Sequence, residues 1–103
     1  MLIEVVDLIY IVVYDITNDN LRNKISECLK NYGLERIQYS GFFGDLTKFG
    51  LKSLQVDLKK LMNDRDETDS VIIIPVCNSC FKNKVVIGKA WVVEEKEFEV
   101  SVF

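Results

Sequence analysis

One acidic side chain closes the most apolar stretch of this chain: Asp15 follows Leu8 to Tyr14, Leu-Ile-Tyr-Ile-Val-Val-Tyr. A carboxylate at the C-terminal end of a strand is placed like a ligand for Mg2+ or Mn2+, ions that take one or two carboxylates together with water and phosphate oxygens. The same oxygens would serve equally to begin the turn and cap the helix that follows. The sequence contains no histidine, which excludes Ser-His-Asp and Cys-His nucleophilic sites, paired-histidine ribonuclease chemistry and histidine-ligated zinc or iron. Hydrolysis of a phosphodiester would rest on carboxylates and a metal, with a carboxylate or a metal-activated water as base and an alkaline optimum.

Around Asp15 lie further candidates. Asn18, Asp19 and Asn20 offer oxygens that would serve a metal or, more simply, a helix start. Arg22 and Lys24 lie two apart on that helix and point to different sides, so they would grip phosphate from separate subsites or face water. Ser40 and Phe42 share strand parity, which predicts that both face the cleft bordered by Asp15, the hydroxyl near the metal and the ring under a base; core packing is the competing role for Phe42.

Cys77-Asn78-Ser79-Cys80 has zinc-ligand spacing, but one pair without histidine is half a structural site, completed only if two copies meet. No helix start is marked after the pair, which speaks against a redox role. Cys28 belongs to an apolar stripe and reads as core.

The elements that must position these residues follow from periodicity. Leu8 to Tyr14 is β-branched and aromatic throughout, the pattern of a strand buried on both faces. Leu21, Ile25, Cys28, Leu29 and Tyr32 recur at helical spacing after caps at Thr17 to Asp19, and Gly33 stops the helix. Glu35 to Phe43 reads as one strand with a bulge or close approach at Gly41, followed by a turn at Gly44 and Asp45. Thr47 caps a second helix through Leu51, Leu54, Leu58, Leu61 and Met62. Val71 to Val76 is a third strand, with Pro75 requiring an edge or end. Val85 to Ile87 reads as a short fourth strand closed by Gly88, and Phe98 to Val102 alternates as a last one. The acidic run Glu94, Glu95, Glu97 and Glu99 reads as a solvated surface.

This order, β-α-β-α-β-β plus a C-terminal strand, matches an α+β ferredoxin-like βαββαβ-type sandwich in a single domain spanning residues 1–103. Two helices cover one face of a four-stranded sheet, yet the first and third strands are apolar on both. A second copy packed sheet to sheet about a two-fold axis would cover the other face, with residues 94–103 reaching the partner subunit as a strand. A homodimer is therefore expected.

Composition bounds the partners. Thirteen Lys and Arg against sixteen Asp and Glu give a net charge of −3, so any grip on nucleic acid must be local. The longest uncharged apolar run falls far short of a bilayer span, and Met1 to Asp7 carries Glu4 and Asp7 in place of a basic leader start. With three cysteines, the expectation is reduced thiols in the cytoplasm and no membrane partner.

Val13-Tyr14-Asp15-Ile16, Arg22 and Lys24 on the following helix, Gly33, Arg36 and then Gln38-Tyr39-Ser40-Gly41-Phe42 together resemble the Cas2 family of small CRISPR-associated proteins, from about Leu8 to Gly88. The resemblance implies a homodimeric ferredoxin-like protein of the spacer-acquisition machinery of antiviral defense, partner of the CRISPR integrase subunit. In some members it implies a magnesium-dependent nuclease on RNA or DNA. It implies that Asp15 holds the metal in the dimer cleft, and that Tyr14, Arg22, Arg36 and Phe42 serve cleavage or substrate holding. Lys24 stands where relatives often carry Arg, which removes a bidentate phosphate fork. Two readings follow: a metal-dependent endonuclease with Asp15, Tyr14 and Ser40 as catalytic residues and Arg22, Lys24, Arg36 and Phe42 binding the strand, or a non-catalytic dimeric scaffold that bridges integrase subunits and binds duplex DNA. A stand-alone toxin-like ribonuclease of the same fold is the third.

Overall fold

In a computed structural model that describes residues 8–89, the apolar run becomes the central strand β1 (Leu8–Asp15). Its neighbours are antiparallel on both sides, and the strand order is β2-β3-β1-β4. Tyr10, Val12 and Tyr14 alternate into a buried layer, while Ile9, Ile11 and Val13 occupy the opposite face and are half-buried. That alternation is the period of two expected of a pleated strand.

Helix α1 (Asp19–Asn31) begins where Asn18 Oδ1 accepts the backbone N–H of Leu21 at 2.9 Å. It ends in a Schellman motif, Leu34 N–H to the Leu29 carbonyl and Gly33 N–H to that of Lys30. This motif needs a left-handed residue after the C-cap, and Gly33 supplies it with φ of 86°. Helix α2 (Lys48–Leu61) is capped by Thr47 Oγ1 at Gly50 N–H. The two helices lie together on one face of the sheet, where Ile25, Leu29, Leu54 and Phe42 form the centre of the core with Val12.

The expected strand from Glu35 to Phe43 is two strands, β2 (Glu35–Gln38) and β3 (Gly41–Leu46), joined by a turn at Tyr39 and Ser40. Its bulge falls at Ile37, between Arg36 paired with Phe42 and Gln38 paired with Gly41, so the extra residue sits in β2 and Gly41 opens β3. Gly44 lies within β3 and makes no turn: a Cβ there would come within 2.6 Å of Leu34 Cδ2 and 3.2 Å of Leu34 Cα. The close approach belongs to Gly44, whereas a Cβ at Gly41 would meet ordinary contacts.

After a 3-10 turn at Met62–Asp64, β4 (Ser70–Val76) forms an edge of the sheet, which accommodates Pro75. Then the chain differs again from expectation. A short helix, α3 (Asn78–Lys82), starts directly after Cys77, whose sulfur accepts the backbone N–H of Cys80. Val85 to Ile87 form no strand and are exposed; among the described residues they have no ladder partner to hold them extended. The completed fold is the βαββαβ arrangement, with the fourth strand supplied by the divided segment. The strand expected over Phe98 to Val102 and the acidic run before it lie outside the described residues.

One face of the sheet carries the two long helices. The other is apolar and open over part of its area: Ile72 opposite Val13 is 52% exposed and Ile74 opposite Ile11 is 42% exposed. Helix α3 contacts this face through Phe81, stacked on Phe43 at 5.2 Å between centroids.

Candidate active site at the end of the first strand

The end of β1 is where the chemistry-bearing residues gather. Asp15, paired with Ser70 across the β1/β4 ladder, is exposed, one residue out of phase with the buried Tyr14. Among the described residues no hydrogen bond or ion pair engages the Asp15 carboxylate. The capping role open to Asp15 is filled instead by Asn18, so its oxygens stand free at the rim of the apolar face.

The β2–β3 turn is stitched to this strand end. Tyr14 donates its backbone N–H to the Ser40 carbonyl at 3.0 Å, and its hydroxyl reaches the Tyr39 carbonyl at 3.5 Å. From β2, Arg36 donates to that same Tyr39 carbonyl and, at 2.8 Å, to Ser26 Oγ on α1, with its guanidinium 4.9 Å from the Phe42 ring centroid. From α1, Arg22 donates to the Ile16 carbonyl at 2.7 Å and pairs with Asp19, its guanidinium 5.8 Å from the Tyr39 ring. Two guanidiniums thus converge on Tyr39, an aromatic ring that is 71% exposed.

A second carboxylate holds the other side of the strand end. Asp69 Oδ1 accepts both the backbone N–H and the hydroxyl of Thr17 at 3.0 Å, while Oδ2 accepts Asp66 N–H. The Asp66 N–H, the two Thr17 donors and the nearby Arg65 charge hold the Asp69 carboxyl below its ordinary value, against the opposing effect of burial. Asp69 fixes the loop leaving β1 to the loop entering β4. Its signal in the sequence was a carboxylate three residues after Asp66 just ahead of a strand, the spacing at which an Asp side chain closes back on a nearby backbone N–H.

Asp15 offers hard oxygen atoms suited to magnesium or manganese. Among the described residues, no three His, Cys, Asp or Glu side chains cluster in a way that could hold a metal.

A family model described as CRISPR associated protein Cas2 matches residues 8–84. The chain belongs to the Cas2 family. A curated relative from Archaeoglobus fulgidus, named CRISPR-associated endoribonuclease Cas2 1, is 36% identical over 89% of this chain and 98% of its own length. A second, CRISPR-associated endoribonuclease Cas2 from Korarchaeum cryptofilum, is 37% identical over 77% of this chain and 83% of its own. Among solved structures, one described as Cas2 superposes with a TM-score of 0.69 at 32% identity, covering 92% of this chain and all of that one. A hypothetical protein from Thermus thermophilus gives the same TM-score and identity over 84% of this chain and 96% of its own.

Every site residue expected from the sequence lies inside the Cas2 match, yet the structure divides them. Tyr14, Arg22, Arg36 and Ser40 are tied together at the strand end through the Ile16, Tyr39 and Ser40 carbonyls, whereas Asp15, next to Tyr14 in the strand, belongs by parity to the opposite face and makes none of these contacts. Phe42 does not face the cleft beside Asp15. It pairs with Val12 on the helix-covered side and is 0% exposed, because strand parity that places Tyr14 inward places Phe42 inward too. Tyr14 is likewise buried, with its hydroxyl directed at the Tyr39 carbonyl. Lys24 lies away from Arg22, in a groove between α1 and α2 with Glu27, Cys28, Asp57 and Lys60. Tyr39, which the parity argument passed over, supplies the exposed ring. No described helix is long and apolar enough to cross a membrane.

Proposed function

We propose that this Cas2-family chain is a metal-dependent endonuclease of CRISPR adaptation, active as a homodimer on RNA or DNA. The observation that carries the proposal is the position of Asp15, unengaged by other described side chains at the edge of an apolar sheet face. A second copy packed on Ile11, Val13, Ile72 and Ile74 would bring its own Asp15 toward the same groove. The endoribonuclease names of the relatives from Archaeoglobus and Korarchaeum support hydrolysis as the reaction.

In this reading Asp15 holds magnesium or manganese, which when bound neutralises charge on the scissile phosphate. Arg22 and Arg36 present positive charge beside Tyr39, whose ring stacks on an unpaired base. Ser40 keeps the turn at the correct height by accepting Tyr14 N–H and places a hydroxyl beside the strand end. Tyr14 is a positioning residue. Lys24 and Phe42 serve elsewhere, the first on the outer helical surface and the second in the core.

A second reading is favoured by a different observation. Both guanidiniums already spend donors on the protein's own carbonyls and on Ser26, and each chain carries a net charge of −3. Weak, salt-sensitive contact with nucleic acid would then be strengthened by the integrase subunit, with the dimer acting as a bridge that holds duplex DNA.

The test is cleavage of labelled single-stranded RNA and duplex DNA by the full chain, with magnesium, manganese or chelator. The endonuclease reading expects metal-dependent cuts in at least one substrate. Intact substrates under every condition, with DNA bound only when the integrase is added, would leave the bridge.

A further inference from the structure

The helix α3 that the sequence did not announce places Cys77 at its start and Cys80 one turn on. Both thiols are exposed. Cys77 Sγ accepts the Cys80 backbone N–H at 3.4 Å. That contact lays Cys77 Sγ over the backbone of Cys80, and Cys-x-x-Cys is the spacing used by dithiol pairs that open and close one disulfide. We propose that Cys77 and Cys80 form a thiol–disulfide exchange site, with Cys77 as the attacking thiol, Cys80 as the resolving thiol, and small-molecule disulfides as substrates.

The electrostatics divide the labour in the same direction. Hydrogen bonds from the Cys80 backbone and thiol, with a smaller contribution from Ser79, lower the Cys77 thiol below its ordinary value. Cys80 is pushed up because its thiol donates to Cys77 and faces the charge there. A thiolate is the attacking species in exchange, so the asymmetry selects Cys77. Cys28 differs on both counts: it is half-buried on α1, and burial together with the Asp57 charge raises it.

The step balances without a metal or cofactor. The Cys77 thiolate attacks one sulfur of a small disulfide, forming a mixed disulfide and releasing one thiolate. The Cys80 thiol gives up its proton to that thiolate and attacks Cys77 Sγ, closing the Cys77–Cys80 bond and releasing the second. Two protein thiols are oxidised, one disulfide is reduced to two thiols, and two electrons pass between them. The product constrains the first turn of α3, the helix that seats Phe81 on Phe43 at the open face.

The test uses the full-length chain with oxidised glutathione, followed by intact-mass and peptide-mass measurement. The wild type is expected to lose two hydrogens within one chain, with Cys77 and Cys80 in one cross-linked peptide. Cys80→Ser should trap glutathione stably on Cys77, and Cys77→Ser should react at Cys80 roughly tenfold more slowly. Both variants replace exposed thiols, so folding is not at issue. A wild type that stops at the mixed disulfide, cross-links only between chains, stays reduced, or shows equal rates in the two variants overturns the proposal.

Discussion

Thr17 gives both its backbone N–H and its hydroxyl to a single oxygen of Asp69, each at 3.0 Å. This clamp joins segments fifty-two residues apart and fixes the chain immediately after Asp15. The carboxylate must stay ionised to accept three donors.

Asp69→Asn should therefore lower the melting midpoint by roughly 5 °C at neutral pH, because one amide N–H would then face a donor. The pH dependence has a definite sign. The Asp69 carboxyl is held low in the folded chain, so the stability it contributes is present above the ordinary carboxylate value and lost as acid protonates the folded form. Thermal melts below about pH 4 should fall more steeply for wild type than for Asp69→Asn. Parallel curves would contradict the clamp.

Gly44→Ala tests the close approach in β3. The added methyl would lie 2.6 Å from Leu34 Cδ2, a movable group, but also 3.2 Å from the Leu34 backbone. A loss of about 1–3 kcal/mol is expected by urea unfolding. Gly41→Ala, which meets ordinary contacts, should cost less.

The division between Tyr39 and Phe42 is separable by binding. Tyr39→Ala removes an exposed ring, so it should weaken binding of single-stranded RNA about tenfold at fixed salt with little change in stability. Phe42→Ala empties the centre of the core and should cost about 3–5 kcal/mol of stability. Equal binding by wild type and Tyr39→Ala would remove the ring from the site.

The open sheet face predicts assembly. Ile74→Asp places a charge among Ile11, Ile72 and Phe43, and should convert a dimer to a folded monomer in sedimentation equilibrium. Val56→Asp, on the exposed side of α2, is the control and should leave the dimer intact. A wild type that is monomeric at all concentrations would contradict the shared groove.

Much of this architecture is legible in the residues. The unbroken apolar run gives β1, helical spacing gives α1 and α2, and Gly33 marks a stop that only a left-handed residue can make. The fold class follows from these, and the Cas2 resemblance from Val13-Tyr14-Asp15-Ile16 and Gln38-Tyr39-Ser40-Gly41-Phe42. What escaped has more than one cause. Tyr39 and Ser40 make a turn without Gly, Pro, Asn or Asp, so a hairpin reads as one strand, and the parity counted along it from Ser40 misplaces Phe42. Asp69 acts through a contact between distant segments, which periodicity does not encode, and α3 opens on a cysteine cap, a residue outside the usual capping set; the separation of Lys24 from Arg22 is the one that their spacing of two on a helix predicts. Val85 to Ile87 show the converse: β-branched residues with no neighbouring strand among the described residues are irregular.

Asp15 is the proposed seat of hydrolysis. The most direct measurement compares cleavage and binding of the same RNA and DNA substrates by wild type and Asp15→Asn, with saturating magnesium or manganese. The account predicts at least a roughly 100-fold loss of cleavage with binding and the dimer unchanged. Cleavage at the wild-type rate by Asp15→Asn would contradict it.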